Sequence, residues 1–157
     1  MKVNFLADHI GASQLAYYLV EYANHMAESG TGQVIIFYEQ LHRPCRRLLA
    51  PAMMMFEAWA QQGVSIATSV PTAARLIDFP GPHRKLFYVW DMAWTINPKR
   101  YGPLAELFRS PELTLIARCS DHASVLENNF NVEVPYVFDN FDKEAMLKAI
   151  QDDRKTQ

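Results

Sequence analysis

Short apolar segments rich in strand-forming residues alternate along the chain with segments of helical periodicity. The clearest helical stripe precedes the turn sequence SGTG, and its apolar members recur at intervals of three or four: Leu15, Tyr18, Leu19, Tyr22 and Met26. Six segments are predicted to be strands: 2–7, 33–38, 64–69, 85–90, 113–118 and 132–138. Strands that alternate with helices pair in parallel, because each helix carries the chain back across the sheet. The alternation therefore predicts an α/β protein.

The predicted architecture is a single doubly wound, Rossmann-like domain. Its mostly parallel sheet has six strands in an order close to 3-2-1-4-5-6, with helices on both faces. Residues 1–150 form the domain and residues 151–157 a polar C-terminal tail. Half of the 157 residues are apolar, which is enough to bury a core of this kind. A helix through Met53, Phe56 and Trp59, closed by Gly63, is expected between the second and third predicted strands.

Composition and motifs exclude several classes of protein. A net charge of −2 disfavours binding to nucleic acid or membranes through the field of the whole protein. Cys45 and Cys119 have no paired spacing, so free thiols in a reducing compartment are expected. No signal peptide and no membrane span is recognised in the sequence, which favours a cytoplasmic protein. No metal-ligand spacing, P-loop, GxGxxG or GxSxG motif occurs, so no metal and no cofactor is expected.

Polar residues are concentrated where the predicted strands end. The carboxyl ends of parallel strands lie at one edge of a sheet, and a ligand is expected there, where the first and fourth strands diverge. The candidate site residues at this edge are Asp8, His9, Gly11, Ser69, Thr72, Asp91, Trp94, Arg118, Ser120 and Asn140. Ser120 and Asp142 are in addition predicted to cap helices.

Two of these residues are candidate catalytic bases. His9 carries an imidazole, the side chain that most often serves as a general base in enzymes. Asp91 lies between Trp90 and Trp94, whose indoles offer a platform for the apolar face of a ring. Each residue also has a structural alternative. His9 can serve only as a hydrogen-bonding partner, Asp91 as a cap beside core tryptophans, and Gly11 as a turn residue.

The segment SIATSVPTAARLIDFPGPHRKLFYVWDMAW resembles glycosyltransferases of the GT-B fold, of the group-1/family-4 type. The matching residues are Ala67, Thr68, Ser69, Thr72, Ala73, Tyr88, Val89 and Asp91. Residues 115–146 resemble the end of the first domain of such enzymes through Ser120, Phe130, Asn131, Val132, Asn140, Asp142 and Glu144. The resemblance extends over residues 64–146, and over residues 2–38 only in general layout.

The resemblance implies a metal-independent transferase that uses a nucleotide sugar as donor, with this chain as its acceptor-side domain. The chain departs from the pattern at Trp90 and Trp94, where the family has glutamine and an acidic residue, and at Phe141, where it has glycine. Family members carry a second Rossmann-like domain that holds most of the nucleotide-sugar site, and none is recognised here. The expected partner is therefore a donor-domain protein or a second copy of the chain in an oligomer.

Two other functions stay open on the sequence. The chain could be a non-catalytic binding or assembly module that uses the methionine-rich segment MMMFEAW. Alternatively, it could belong to a phage-type glycosyltransferase that modifies DNA, with the basic segment HRPCRR and with Lys99 and Arg100 in contact with the phosphates.

Overall fold

The computed structural model describes residues 1–152. Across these residues, seven strands form one parallel sheet in the order β3-β2-β1-β4-β5-β6-β7. The strands are β1 (Lys2–His9), β2 (Gln33–Gln40), β3 (Ala52–Met54), β4 (Gly63–Ala67), β5 (Pro82–Val89), β6 (Leu113–Ala117) and β7 (Tyr136–Val137). The α-helices are α1 (Gln14–Ser29), α2 (Val70–Asp78), α3 (Tyr101–Phe108), α4 (Ser120–Phe130) and α5 (Lys143–Gln151). Residues 153–157 of the predicted tail lie outside the described residues.

Helices cover both faces of the sheet and enclose two hydrophobic cores. Helices α1 and α5 pack on one face, here called the α1 face, and α2, α3 and α4 pack on the other, the α2 face. Successive residues of a strand point to opposite faces. Phe5 therefore belongs to the core under α1 and Leu6 to the core under α2, and both are fully buried. The predicted α/β class and parallel sheet are confirmed.

The predictions of six strands and of a helix through Met53, Phe56 and Trp59 are wrong. Ala52–Met54 forms the edge strand β3, in which Ala52 pairs with Ile36, and a 3₁₀ helix of one turn follows at Met55–Ala58. A short apolar run fits a strand as well as a helix, so its period could not distinguish them.

The additional strand changes the neighbours of the others. The third predicted strand, residues 64–69, was expected beside β2, but as β4 it pairs with β1. The point where the strand order reverses therefore lies between β1 and β4. The last predicted strand, residues 132–138, shortens to Tyr136–Val137, since Pro135 lacks the amide hydrogen needed to extend the ladder.

Two buried tyrosines are expected to make folding sensitive to alkaline pH. The hydroxyl of Tyr88 donates a hydrogen bond to the carbonyl oxygen of Phe138 at 2.7 Å, and Tyr22 lies on the buried side of α1, in the core between that helix and the sheet. Burial raises the pKa of both phenols, and the negative charge of Asp142 adds to the effect on Tyr22. In the unfolded chain a tyrosine ionises near pH 10. Above about pH 10 the unfolded state thus loses protons that the folded state keeps, and stability falls.

The measurement is the free energy of unfolding in urea between pH 9 and pH 11. Each buried tyrosine should contribute a slope of about −1.4 kcal/mol per pH unit above pH 10. The variant Tyr88→Phe should therefore lose stability less steeply than the wild type by about that amount. Equal slopes for the two proteins would contradict the expectation.

Candidate functional site

A groove lies on the α2 face at the carboxyl ends of β4 and β5. Its volume is about 300 Å³, and Ser69, Asp91, Trp94 and Arg100 contribute its polar and aromatic lining. The hydroxyl of Ser69 donates a hydrogen bond to Oδ1 of Asp8 at 3.0 Å, which connects the groove to the end of β1. We call this cavity the switch-point groove, because it lies beside the reversal of strand order between β1 and β4.

Ser69 is held in place by a capping box at the start of α2. Its Oγ accepts a hydrogen bond from the backbone N–H of Thr72 at 3.3 Å, and Oγ1 of Thr72 accepts one from the N–H of Ser69 at 3.0 Å. Thr72 is 2% exposed, so its hydroxyl serves the cap and has no access to a ligand. The local sequence S-V-P-T thus fixes Ser69 facing the groove.

Ser120, in contrast, does not cap its helix, so that prediction is wrong. It is the first residue of α4, and Cys119 occupies the cap position without a side-chain hydrogen bond to the helix. Asp142 does cap α5, because its carboxylate accepts a hydrogen bond from the N–H of Ala145 at 2.9 Å.

Because only Ser69 caps a helix, serine-to-alanine changes at Ser69 and Ser120 should differ in their effect on the free energy of unfolding. Ser69→Ala should lower the free energy of unfolding by about 1–2 kcal/mol, because the first turn of α2 loses its cap. Ser120→Ala, at an exposed position without a capping bond, should stay within about 0.5 kcal/mol of the wild type. Urea denaturation of both variants measures the change. Equal losses in the free energy of unfolding would mean that the cap formed by Ser69 does not stabilise the protein.

His9 lies at the same edge of the sheet but faces the opposite side from the groove. Because β1 continues to His9, Asp8 points to the α2 face and His9 to the α1 face. Nδ1 of His9 accepts a hydrogen bond from the N–H of Gly11 at 3.1 Å, and its ring stacks on His42 with centroids 4.9 Å apart. The two predicted catalytic residues, His9 and Asp91, are therefore not brought together.

Gly11 allows this histidine stack to form. A Cβ atom at Gly11 would lie 2.9 Å from Cβ of His42, which is closer than side chains normally approach. The backbone of Gly11 is not left-handed, so the residue serves close packing rather than a special turn.

Arg118 and Asn140 form a second cluster, at the ends of β6 and β7, and do not line the switch-point groove. The guanidinium of Arg118 bonds to the carboxylate of Asp139 and donates to Oδ1 of Asn140 at 3.2 Å. Its Cζ atom also lies 4.1 Å from the centre of a ring of Trp90, a cation–π contact. These internal bonds give Arg118 a structural task, namely to hold the turn at Asp139 and Asn140 against the sheet.

The basic segment HRPCRR, predicted as a contact for DNA, packs partly against α1. Nη1 of Arg46 lies 3.3 Å from Oε2 of Glu21, and its Cζ lies 4.6 Å from the centre of the ring of Tyr17. The side chain of Asn24 donates to the carbonyl oxygen of Arg47 at 2.8 Å. Arg46 is thus neutralised within the fold, which weakens this segment as a basic patch.

Within residues 1–152, no group of three or more His, Cys, Asp or Glu side chains is arranged to hold a metal ion. In the same stretch, none of the helices combines the length and the apolar character that crossing a membrane requires. Comparisons of the chain with protein-family models, with curated proteins and with solved structures found no match.

Proposed function

We propose that the switch-point groove binds the acceptor of a sugar transfer, and that the chain is the acceptor-side half of a GT-B-like glycosyltransferase. One observation carries the proposal: Ser69 and Asp91, both part of the sequence resemblance, line one groove together with Trp94. Grooves at this position of an open parallel sheet are where α/β proteins bind ligands. A carboxylate and a hydroxyl suit the hydroxyl groups of a sugar, and an indole suits the apolar face of its ring.

Asp91 is the proposed general base. It is exposed, and its Oδ1 accepts a hydrogen bond from the N–H of Ala93 at 3.0 Å. That bond leaves Oδ2 to take the proton of the acceptor hydroxyl. The hydroxyl oxygen would then attack the anomeric carbon of the donor, and the bond from that carbon to the nucleoside diphosphate would break, with its electron pair leaving on the phosphate.

A donor-binding partner completes the proposed enzyme. The groove forms one wall, whereas transfer requires donor and acceptor to be held at reacting distance with water excluded. The partner would be a donor-domain protein or a second copy of the chain, and it would hold the nucleotide sugar.

Binding of simple sugars tests the acceptor site directly. We expect at least one neutral sugar, among the methyl glycosides of glucose, galactose, mannose and N-acetylglucosamine, to bind the wild type in titrations followed by NMR. Asp91→Asn and Trp94→Ala should each weaken that binding about tenfold or more. Glu28→Gln, on the exposed surface at the far end of α1, is the control and should bind as the wild type does. Absence of any binding, or unchanged binding in both groove variants, would overturn the proposal.

A second candidate function is favoured by an exposed aromatic patch beside β3. Phe56 is 75% exposed and Trp59 is 53% exposed, and together with Phe79 they line a groove of about 430 Å³. Exposed apolar patches of this kind are typical of protein interfaces. Arg75 and Asp78 also line the groove, and Arg75 is paired with Glu39 of the same chain at 2.9 Å. The aromatic surface is therefore what a second copy related by a two-fold axis would cover.

This alternative makes the chain an assembly module, and native mass spectrometry tests it. A dimer that is lost in the double variant Phe56→Ser, Trp59→Ser would support it. A monomer at micromolar concentration would exclude it.

A further inference from the structure

A second cavity adjoins the switch-point groove. This aromatic cleft has a volume of about 510 Å³, and Trp94 and Leu104 line both cavities. The rest of its lining consists of Thr95, Asn97, Tyr101, Asn129 and Phe130. A ligand in the groove could therefore continue past Trp94 into the cleft.

The cleft contains an aromatic platform that is fixed before any ligand binds. The ring of Tyr101 stacks on Phe130 with centroids 5.2 Å apart, and Trp94 lies 5.4 Å from the same phenylalanine. The hydroxyl of Tyr101 donates to the carbonyl oxygen of Asn129, which fixes the ring at its far end as well. Tyr101 is nevertheless 46% exposed, so part of its ring is accessible to a ligand. An immobile ring binds without loss of side-chain entropy.

The polar groups of the cleft are uncharged and are oriented by the backbone. Oδ1 of Asn97 accepts a hydrogen bond from the N–H of Lys99 at 3.2 Å, which leaves its Nδ2 as a donor. Nδ2 of Asn129 donates to the carbonyl oxygen of Val125 at 2.8 Å, which leaves its Oδ1 as an acceptor. Among residues 1–152, none that lines the cleft has a charged side chain. One free donor, one free acceptor and an open aromatic face suit a neutral ring that carries hydroxyl groups.

We propose that the acceptor is an extended neutral saccharide of at least two rings, an inference that rests on the proposed function. The ring that receives the sugar lies in the switch-point groove beside Asp91, and its neighbour in the saccharide stacks on Tyr101 in the aromatic cleft. The shared residue Trp94 contacts the apolar face of the first ring and, beyond it, the linkage to the second ring. The aromatic cleft thus sets the length of acceptor that the chain prefers.

The test is a series of acceptors of increasing length. Affinities are measured for the methyl glycoside that binds the wild type and for the disaccharides and trisaccharides that extend it. We expect the second ring to raise the affinity of the wild type about tenfold. Tyr101→Ala should remove that gain and change the affinity for the single ring less than twofold. Tyr101→Phe keeps the stacking ring and should keep most of the gain, and it serves as the matched control.

The outcomes separate this inference from the proposed function. Equal affinity for one ring and two rings in the wild type would overturn the inference alone, since the groove would still bind its sugar. A loss in Tyr101→Ala that is equal for every length would also overturn it. Failure of all saccharides to bind would overturn the proposed function and this inference together.

Discussion

Replacing Gly63 with alanine is expected to lower the free energy of unfolding by about 2–6 kcal/mol. Gly63 begins β4 with a φ of +104°, a conformation that residues with a side chain rarely adopt. A Cβ atom there would lie 2.3 Å from the carbonyl oxygen of Lys2 and 2.9 Å from its Cβ. Lys2 cannot yield easily, because it is paired with Gln33 in the neighbouring strand. The backbone strain and the steric clash therefore add.

Two other glycines separate these contributions. Gly30 also has a left-handed backbone, with a φ of +64°, but no atom of the described residues lies within 4 Å of the position of its Cβ. Gly30→Ala should therefore show the strain alone, about 1–2 kcal/mol. Gly102 lies in α3 with open space around it, so Gly102→Ala should be neutral or stabilising by up to about 1 kcal/mol. Denaturant unfolding of the three variants gives the comparison. A loss at Gly63 no larger than that at Gly30 would show that the sheet adjusts to the added methyl group.

The class of the fold could be predicted because the helical spacing of apolar residues and the continuous apolar runs of the strands are both visible in the sequence. The stripe of α1 and the apolar runs of β1, β2 and β5 differ in spacing, and each is long enough to be distinguished. β3 could not be predicted this way. It has three residues, and its pairing with β2 depends on a partner elsewhere in the chain rather than on its own pattern.

The edge that carries the candidate site was predictable, whereas the direction of its side chains was not. The predicted first strand ended at residue 7, which left Asp8 and His9 in a loop where either could face a ligand. In the structure the strand continues to His9, and its alternation separates the two side chains. The partners of Arg118 were also missed. Asp139 lies 21 positions after Arg118 in the sequence, and a local sequence pattern cannot predict a contact at that separation.

Phe141 shows how packing can override a local preference. It has a φ of +55°, which glycine adopts without strain and which costs other residues about 1–2 kcal/mol. Its ring is 2% exposed and meets the ring of Tyr88 edge to face with centroids 4.8 Å apart. Burial of a large aromatic side chain stabilises the folded state by at least about as much as the backbone strain destabilises it. Phe141 therefore fills the core under α1 at a position whose backbone conformation favours glycine.

If the chain acts as proposed, replacing Asp91 with asparagine is expected to reduce the rate of sugar transfer by about 10²–10⁴-fold. Asparagine has nearly the same shape, and its Oδ1 can still accept the hydrogen bond from the N–H of Ala93. The free energy of unfolding should therefore stay within about 0.5 kcal/mol of the wild type. What the variant loses is the carboxylate that is proposed to take the proton of the acceptor hydroxyl, so the effect should appear in the rate of transfer at saturating acceptor.

The role of Asp91 is decided by comparing its variant with a variant of His9, since the sequence predicts both residues as candidate bases. His9 faces away from the switch-point groove, and its Nδ1 is already bonded to the N–H of Gly11. His9→Gln should therefore reduce transfer less than tenfold, although it disturbs the stack on His42. The rates are measured by mass spectrometry of the glycosylated acceptor, with the same donor-binding partner present for each variant. A loss of 10²-fold or more in His9→Gln, together with near-normal transfer in Asp91→Asn, would move the base to the α1 face. That result would contradict the proposal that the acceptor reacts in the switch-point groove.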